Sequence, residues 1–276
     1  MSQPLELIDA TLTVENRVAV LTFNRDDVRN ILTGTHLITD IEKTVDWVNA
    51  NPEVSVLVMT GAGRAFSAGG NLKEMSGRNT SHKGGPYSGT PAQVQQNYFH
   101  GIQRIPRAMN RLQVPAIAAI NGAAIGAGFD LALMCDLTLA SESAKMGETF
   151  LSLGIIPGIG GAYWLTKRVG EQFAAELVFT AKVLTSQQAL EKGVILERVA
   201  DDQLMVRAME LANDIAAQPP LATRLCKTLL SSAKTDELNT HLSLCGQLQG
   251  QCHNQDDHLE AVNAFLEKRP AIYLGK

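Results

Sequence analysis

At 276 residues and a net charge of −4, the chain is long enough to bury a substantial core but lacks the basic balance that nucleic-acid phosphates demand. Charged residues at 19% and hydrophobic ones at 45% are ordinary for a soluble globular protein, and a few local Lys and Arg would still serve an anionic small molecule. Cys135, Cys226, Cys245 and Cys252 show no paired spacing and the amino-terminal segment has no signal-peptide pattern, so a reducing, cytoplasmic setting is expected.

In chain order, "RVAVLTF" (17–23), "VSVLVMTG" (54–61), "PAIAAING" (115–122) and "DLTLASESAKMG" (136–147) read as strands that end in turn residues. Between the first two, Leu37, Ile38, Ile41, Val45 and Val48 keep a helical period that Asn51-Pro52 closes. Residues 76–93 are rich in Gly, Ser and Pro and predict a mobile surface loop. The apolar stretch 115–135 is interrupted by Asn121, three glycines and Asp130, so it is not a membrane span. Beyond about 160 the strand signal fades, and segments at 171–180, 185–193, 201–220, 220–233 and 256–270 are helical, several with Ser, Thr or Asp near the start. Strands alternating with helices predict an α/β core at 1–195, followed by a helical region at 196–276 within one continuous functional unit.

Two stretches concentrate glycine. "GAGRAFSAGGNLKEM" (61–75) and "INGAAIGAGFDLAL" (120–133) each leave a strand and enter a helix through a run of small residues. The second is not a dinucleotide fingerprint, because Leu131 stands where the third glycine is required, and no G-K-[ST] follows for a phosphate loop. Two readings remain: small residues that let helix and strand pack closely, or two helix starts whose free N–H groups converge on one oxygen. No metal is expected, since His253 and His258 with Cys252, Asp256 and Asp257 meet no tight ligand spacing. Ser67 lacks the G-x-S-x-G frame of a serine hydrolase.

Taken with "GIIPGIGGAYWLTKRVG", "AKVLTSQQALEKGVI" and "AFLEKRP", these stretches closely resemble the crotonase superfamily, that is, enoyl-CoA hydratases and isomerases, collinearly from about residue 10 to 270. The resemblance implies a spiral of ββα units with a helical carboxy-terminal trimerisation region, assembled as a homotrimer or a dimer of trimers. It implies an acyl-CoA thioester substrate, no nucleic-acid or membrane partner, and no tightly bound cofactor, CoA being part of the substrate. By motif position the N–H groups of Ala68 and Ala127 would hold the thioester oxygen as an enolate forms. Arg25, Val28, Ala68, Gly69, Lys73, Gly126, Phe265 and Lys268 fall on positions that would bind substrate or CoA.

The departure lies at the acids. The two glutamate positions of family hydratases hold Asp130 and Phe150, with Glu148 two residues before the latter. Asp130 and Glu148 are therefore the catalytic candidates, while Phe150 would line an acyl pocket with Ile125, Phe129, Tyr163 and Trp164. One acid suffices for double-bond isomerisation, and hydration needs Asp130 with Glu148 or Asp130 alone. Thioester hydrolysis, decarboxylation and a non-catalytic acyl-CoA-binding role stay open at this level.

Overall fold

A computed structural model describes residues 5–76 and 86–275. Of the polar stretch 76–93, residues 77–85 lie outside the described residues. Among the described residues ten strands form two sheets: β1 (Ala10–Glu15), β2 (Val18–Phe23), β3 (Val56–Gly61), β5 (Ala116–Ile120), β7 (Leu137–Ser141) and β10 (Glu197–Val199) in that order, then β4 (Ala65–Ser67), β6 (Ala123–Ile125), β8 (Lys145–Gly147) and β9 (Val183–Thr185). The outer pairs β1–β2 and β8–β9 are antiparallel; the remaining pairs are parallel.

The chain repeats one move. It runs along the larger sheet, steps into the smaller one, and enters a helix: β3–β4–α2 (Leu72–Ser76), β5–β6–α5 (Ala127–Met134), and β7–β8 followed by a 3-10 turn at Thr149–Leu153 and α6 (Gly161–Val169). The segments expected as single strands at 115–122 and 136–147 are thus each two strands. The step at Asn121-Gly122 has a physical cause. The Asn121 side chain accepts from Gly61 N–H at 3.1 Å and donates to Gly63 O at 3.0 Å, and a Cβ on Gly122 would overlap the Arg64 carbonyl. Strand β1 gave little signal, because its hairpin with β2 turns through Asn16 and Arg17, both left-handed, in place of the usual Asn-Gly.

Side-chain alternation sets the two layers. Leu57, Met59, Ala116, Ala118 and Ile120 face a core shared with α1 (Leu37–Ala50), α4 (Arg104–Arg111) and α5. Their neighbours Val56, Val58, Ile117 and Ala119 pack instead on Leu204, Ala208, Ala212 and Ala216 of α9 (Leu204–Ala216). A third helix, α3 (Pro91–His100), precedes α4, and α7 (Glu171–Thr180) and α8 (Ser186–Glu191) flank β9. The chain ends in α10 (Pro220–Ser232), α11 (Leu238–His253) and α12 (Asp256–Glu267). No described helix is long and apolar enough to cross a membrane.

Candidate active site

The two glycine turns meet. Gly128 packs so closely on Ser67 that a Cβ there would overlap the Ser67 carbonyl, and a Cβ on Gly69 would stand 3.1 Å from Ala127 N. Gly126 takes a left-handed φ of 53° to enter α5 and donates its N–H to Gly147 O at 2.9 Å, so β8 fixes the start of that helix. The Ala127 N–H, in the first turn of α5, has no acceptor among the described residues.

The first turn is held by residues 29–33. Buried Asn30 donates to Ala62 O and Ala65 O, Ser67 Oγ donates to Asn30 O at 2.7 Å, and Leu32 N–H donates to Gly69 O at 2.7 Å. Here one expectation needs correction. The Ala68 N–H donates to Arg29 O at 2.9 Å and is not free for a ligand, while Gly69 N–H reaches Ser67 Oγ at 3.2 Å. Among the described residues the unpartnered donor is Gly70 N–H, two positions along, where a Cβ would crowd Met75 Cε at 2.9 Å. The second glycine in "AGG" was the available signal for it.

Asp130 and Glu148 converge behind these donors. Asp130 sits in the first turn of α5; Glu148 directly follows β8 and, in a tight bend (φ −86°, ψ 72°), caps the 3-10 turn that begins at Thr149. Both are buried, and among the described residues no other group hydrogen-bonds any of their four carboxyl oxygens. Asp130 Oδ1 and Glu148 Oε1 both crowd the space where Gly161, first residue of α6, would carry a Cβ. Gly161 thus makes room for the pair and turns a helix amino terminus toward it. Burial pushes the Asp130 carboxyl well above the usual carboxylate range, and the neighbouring Glu148 pushes it further. Burial also raises Glu148, with Asp130 partly offsetting the rise.

Ala68, Gly70, Gly126 and Ala127 open onto one cavity whose other walls are largely apolar: Leu72, Met75, Tyr98, Ile102, Leu153 and Ile159 among them. Phe150 and Ile125 belong to this wall, and the Phe150 ring lies 3.5 Å from the Cβ point of Gly126. The other expected wall residues do not. Phe129 is buried in the main core because α5 turns it inward, and Tyr163 and Trp164 on α6 line a separate cavity against Lys227 of α10.

The remaining candidates are spread out. The Arg25 guanidinium is held by Asp27 at 2.8 Å and Asp9 at 3.2 Å, which keep it charged but partly neutralise it locally. Val28 is half-buried in the 3-10 turn that follows, and Lys73 is exposed on α2. Phe265 and Lys268 are exposed at the end of α12, and neither lines the cavity within this chain. Among the described residues no cluster of three His, Cys, Asp or Glu has the arrangement of a metal site.

Known proteins share this architecture. The family model described as enoyl-CoA hydratase/isomerase matches residues 13–276. The short-chain-enoyl-CoA hydratase of Clostridium acetobutylicum is 33% identical over 268 residues, spanning 96% of this chain and 97% of that protein. The 1,2-epoxyphenylacetyl-CoA isomerase of Escherichia coli is 34% identical over 263 residues, 95% of this chain and 97% of that one. The crystal structure of an enoyl-CoA hydratase from Bacillus anthracis superposes with a TM-score of 0.87 at 32% identity, covering 98% of this chain and 100% of the other.

Proposed function

Because the chain belongs to the enoyl-CoA hydratase/isomerase family, whose crotonase-type acyl-CoA chemistry it shares, we propose that it adds water to a 2-enoyl-CoA. In this reading the thioester oxygen sits between the N–H groups of Gly70 and Ala127, with Asp130 and Glu148 as the acid–base pair. The observation that carries it is the meeting of two buried, partnerless carboxylates behind two unpartnered backbone donors.

The chemistry follows from the charges. As water adds to the β carbon, one ionised carboxyl takes its proton and electron density moves through the α carbon onto the thioester oxygen. Two preorganised N–H donors stabilise that enolate; loss of one such donor typically lowers the rate ~10²–10³-fold. The second carboxyl, still protonated because burial and its neighbour disfavour two charges, then delivers a proton to the α carbon. Glu148 thereby supplies, from two residues upstream, the second acid that Phe150 cannot. CoA is bound as part of the substrate, with no further cofactor in the scheme, and the reaction is assigned to the cytoplasm.

A second reading, double-bond isomerisation, draws support from Phe150, whose ring borders the cavity and limits room for water near Gly126. Assaying crotonyl-CoA and a 3-enoyl-CoA with wild type, Asp130→Asn and Glu148→Gln separates the two. Hydration by the acid pair is lost in both variants; isomerisation by Asp130 alone survives Glu148→Gln. Binding of both thioesters without turnover of either would replace these readings with a non-catalytic acyl-CoA-binding role. The exposed Leu238, Leu242, Leu259, Phe265 and Leu266 on α11 and α12 support assembly as a homotrimer or a dimer of trimers, which light scattering reads as mass.

A further inference from the structure

We propose that Tyr87 and Thr33 are positioning residues: together they form a clasp that fixes the Gly70 N–H, so that the wall of the acyl cavity and the oxyanion turn move as one unit. The inference rests on the reading of Gly70 as an oxyanion donor. It assigns work to a segment, residues 86–90, that carries none of the family motifs noted in the sequence.

The Gly70 N–H shares a peptide plane with the Gly69 carbonyl, and that carbonyl accepts from Leu32 N–H at 2.7 Å. The next plane is held from the adjacent residue, as Asn71 N–H donates to Thr33 Oγ1 at 2.7 Å. Both planes flanking Gly70 are thus fixed by residues 32 and 33, and the second depends on where the Thr33 hydroxyl points. Tyr87 decides that. Its O–H donates to the same Thr33 Oγ1 at 3.2 Å, and both oxygens lie 3.9 Å from the point where Gly70 would carry a Cβ. Thr33 is buried, so the two donors converge on an oxygen that water does not reach freely. Burial also raises the Tyr87 phenol above its ordinary value, so it remains a donor at neutral pH.

The other end of Tyr87 faces substrate. Its ring lines the cavity and meets Tyr98 edge to face, centroids 6.1 Å apart, and Tyr98 in turn packs on Gly158 across the cavity. An apolar acyl chain seated among Leu72, Met75 and these two rings presses on the same side chain that steadies the hydrogen-bond donor. Acyl contact is thereby linked to transition-state stabilisation as well as to binding.

The test compares Tyr87→Phe, Thr33→Val and Thr33→Ser with wild type on crotonyl-CoA and on a medium-chain 2-enoyl-CoA. A second readout is the ultraviolet enolate band of bound acetoacetyl-CoA, which reports how strongly the two donors polarise a thioester. Loss of one buried hydrogen bond predicts a fall in kcat of about 3- to 10-fold for Tyr87→Phe and Thr33→Val, with KM within about twofold. The enolate band should weaken in parallel, and Thr33→Ser should keep both near wild type. The double variant should fall no further than either single one, because both break the same unit. A rise in KM with kcat and band unchanged would reduce Tyr87 to part of the wall and overturn the proposal, as would additive losses. Tyr87→Phe removes one atom and decides the matter even if Thr33→Val does not fold. The band needs no turnover, so it still judges the clasp if the enzyme proves not to be a hydratase.

Discussion

After β4 the chain donates the Ala68 N–H to Arg29 O, donates that of Gly69 to Ser67 Oγ, and leaves Gly70 unpartnered; after β6 it donates Gly126 to Gly147 O and leaves Ala127. The second turn obtains its free donor from helix geometry, since Ala127 is the first residue of α5 and its N–H comes too early for an intrahelical acceptor. The first turn leads only into the five-residue α2, and its donor is oriented by side chains and carbonyls from residues 29–33. A helix start is a rigid source of one hydrogen bond; a turn braced from another segment can be adjusted by whatever touches that segment. The difference teaches that the two halves of the cradle should respond unequally to mutation. The second should tolerate remote changes and fail only when its packing against the first is broken.

The largest effect is expected at the acid pair itself. Gly161→Ala would place a methyl group onto Asp130 Oδ1 and Glu148 Oε1, and displacement of two acid–base groups predicts a loss of kcat of about 10³-fold or more. Acyl-CoA affinity measured by calorimetry should change little, because Gly161 is not part of the cavity wall. Retained turnover would remove the acid pair from the mechanism. Next comes Gly128→Ala, which forces a Cβ into the Ser67 carbonyl and pushes the two turns apart. Overpacking there should destabilise the fold by about 1–3 kcal/mol and lower kcat roughly 10- to 100-fold through misplaced donors. A stability loss measured by urea unfolding without a rate loss would show that the turns do not act jointly. Smaller again is Phe150→Ala. It enlarges the cavity beside Gly126, so bulkier 2-enoyl-CoAs should gain on crotonyl-CoA by up to about tenfold in kcat/KM. An unchanged ratio would place the acyl group elsewhere.

Much of this was legible in the sequence, and the limits have physical causes. The strands beginning at Val18, Val56, Ala116 and Leu137 and helix α1 follow from side-chain periodicity. The family and its acyl-CoA chemistry followed from motifs, since glycine is required wherever two backbones touch. Periodicity cannot see a strand break such as Asn121-Gly122, which is set by the approach of Gly61 and Gly63 from another strand. Nor can it tell Ala68 from Gly70 as the free donor, because the deciding acceptor, Arg29 O, lies 39 positions away in the chain. The expected wall failed for Phe129, Tyr163 and Trp164 for a related reason: an aromatic near a motif has two faces to choose from, and α5 and α6 turn these three away from the cavity. Glu148 was visible as a candidate, but only the bend between β8 and the 3-10 turn brings it to Asp130.

The smallest effect separates the acid pair from the cradle by stability alone. Asp130 is buried with no hydrogen-bond partner among the described residues beyond its neighbour Glu148, and its folded value lies well above the ordinary carboxylate range, so the native state holds the Asp130 proton more tightly than the unfolded chain does. The resulting stabilisation is complete below about pH 3.8 and is lost as pH rises through the folded value, because an ionised carboxyl must then remain in a dry site. Asparagine keeps the shape without the charge. Asp130→Asn should therefore be more stable than wild type at pH 8 by about 1–3 kcal/mol, with the gap closing as pH falls toward 4. Glu148→Gln should show the same sign, its carboxyl being raised for the same reason. Thermal unfolding across that pH range checks both. A variant less stable than wild type throughout would mean that the carboxylate is stabilised in place, and the pair would then be structural instead of an acid–base device maintained against the stability of the fold.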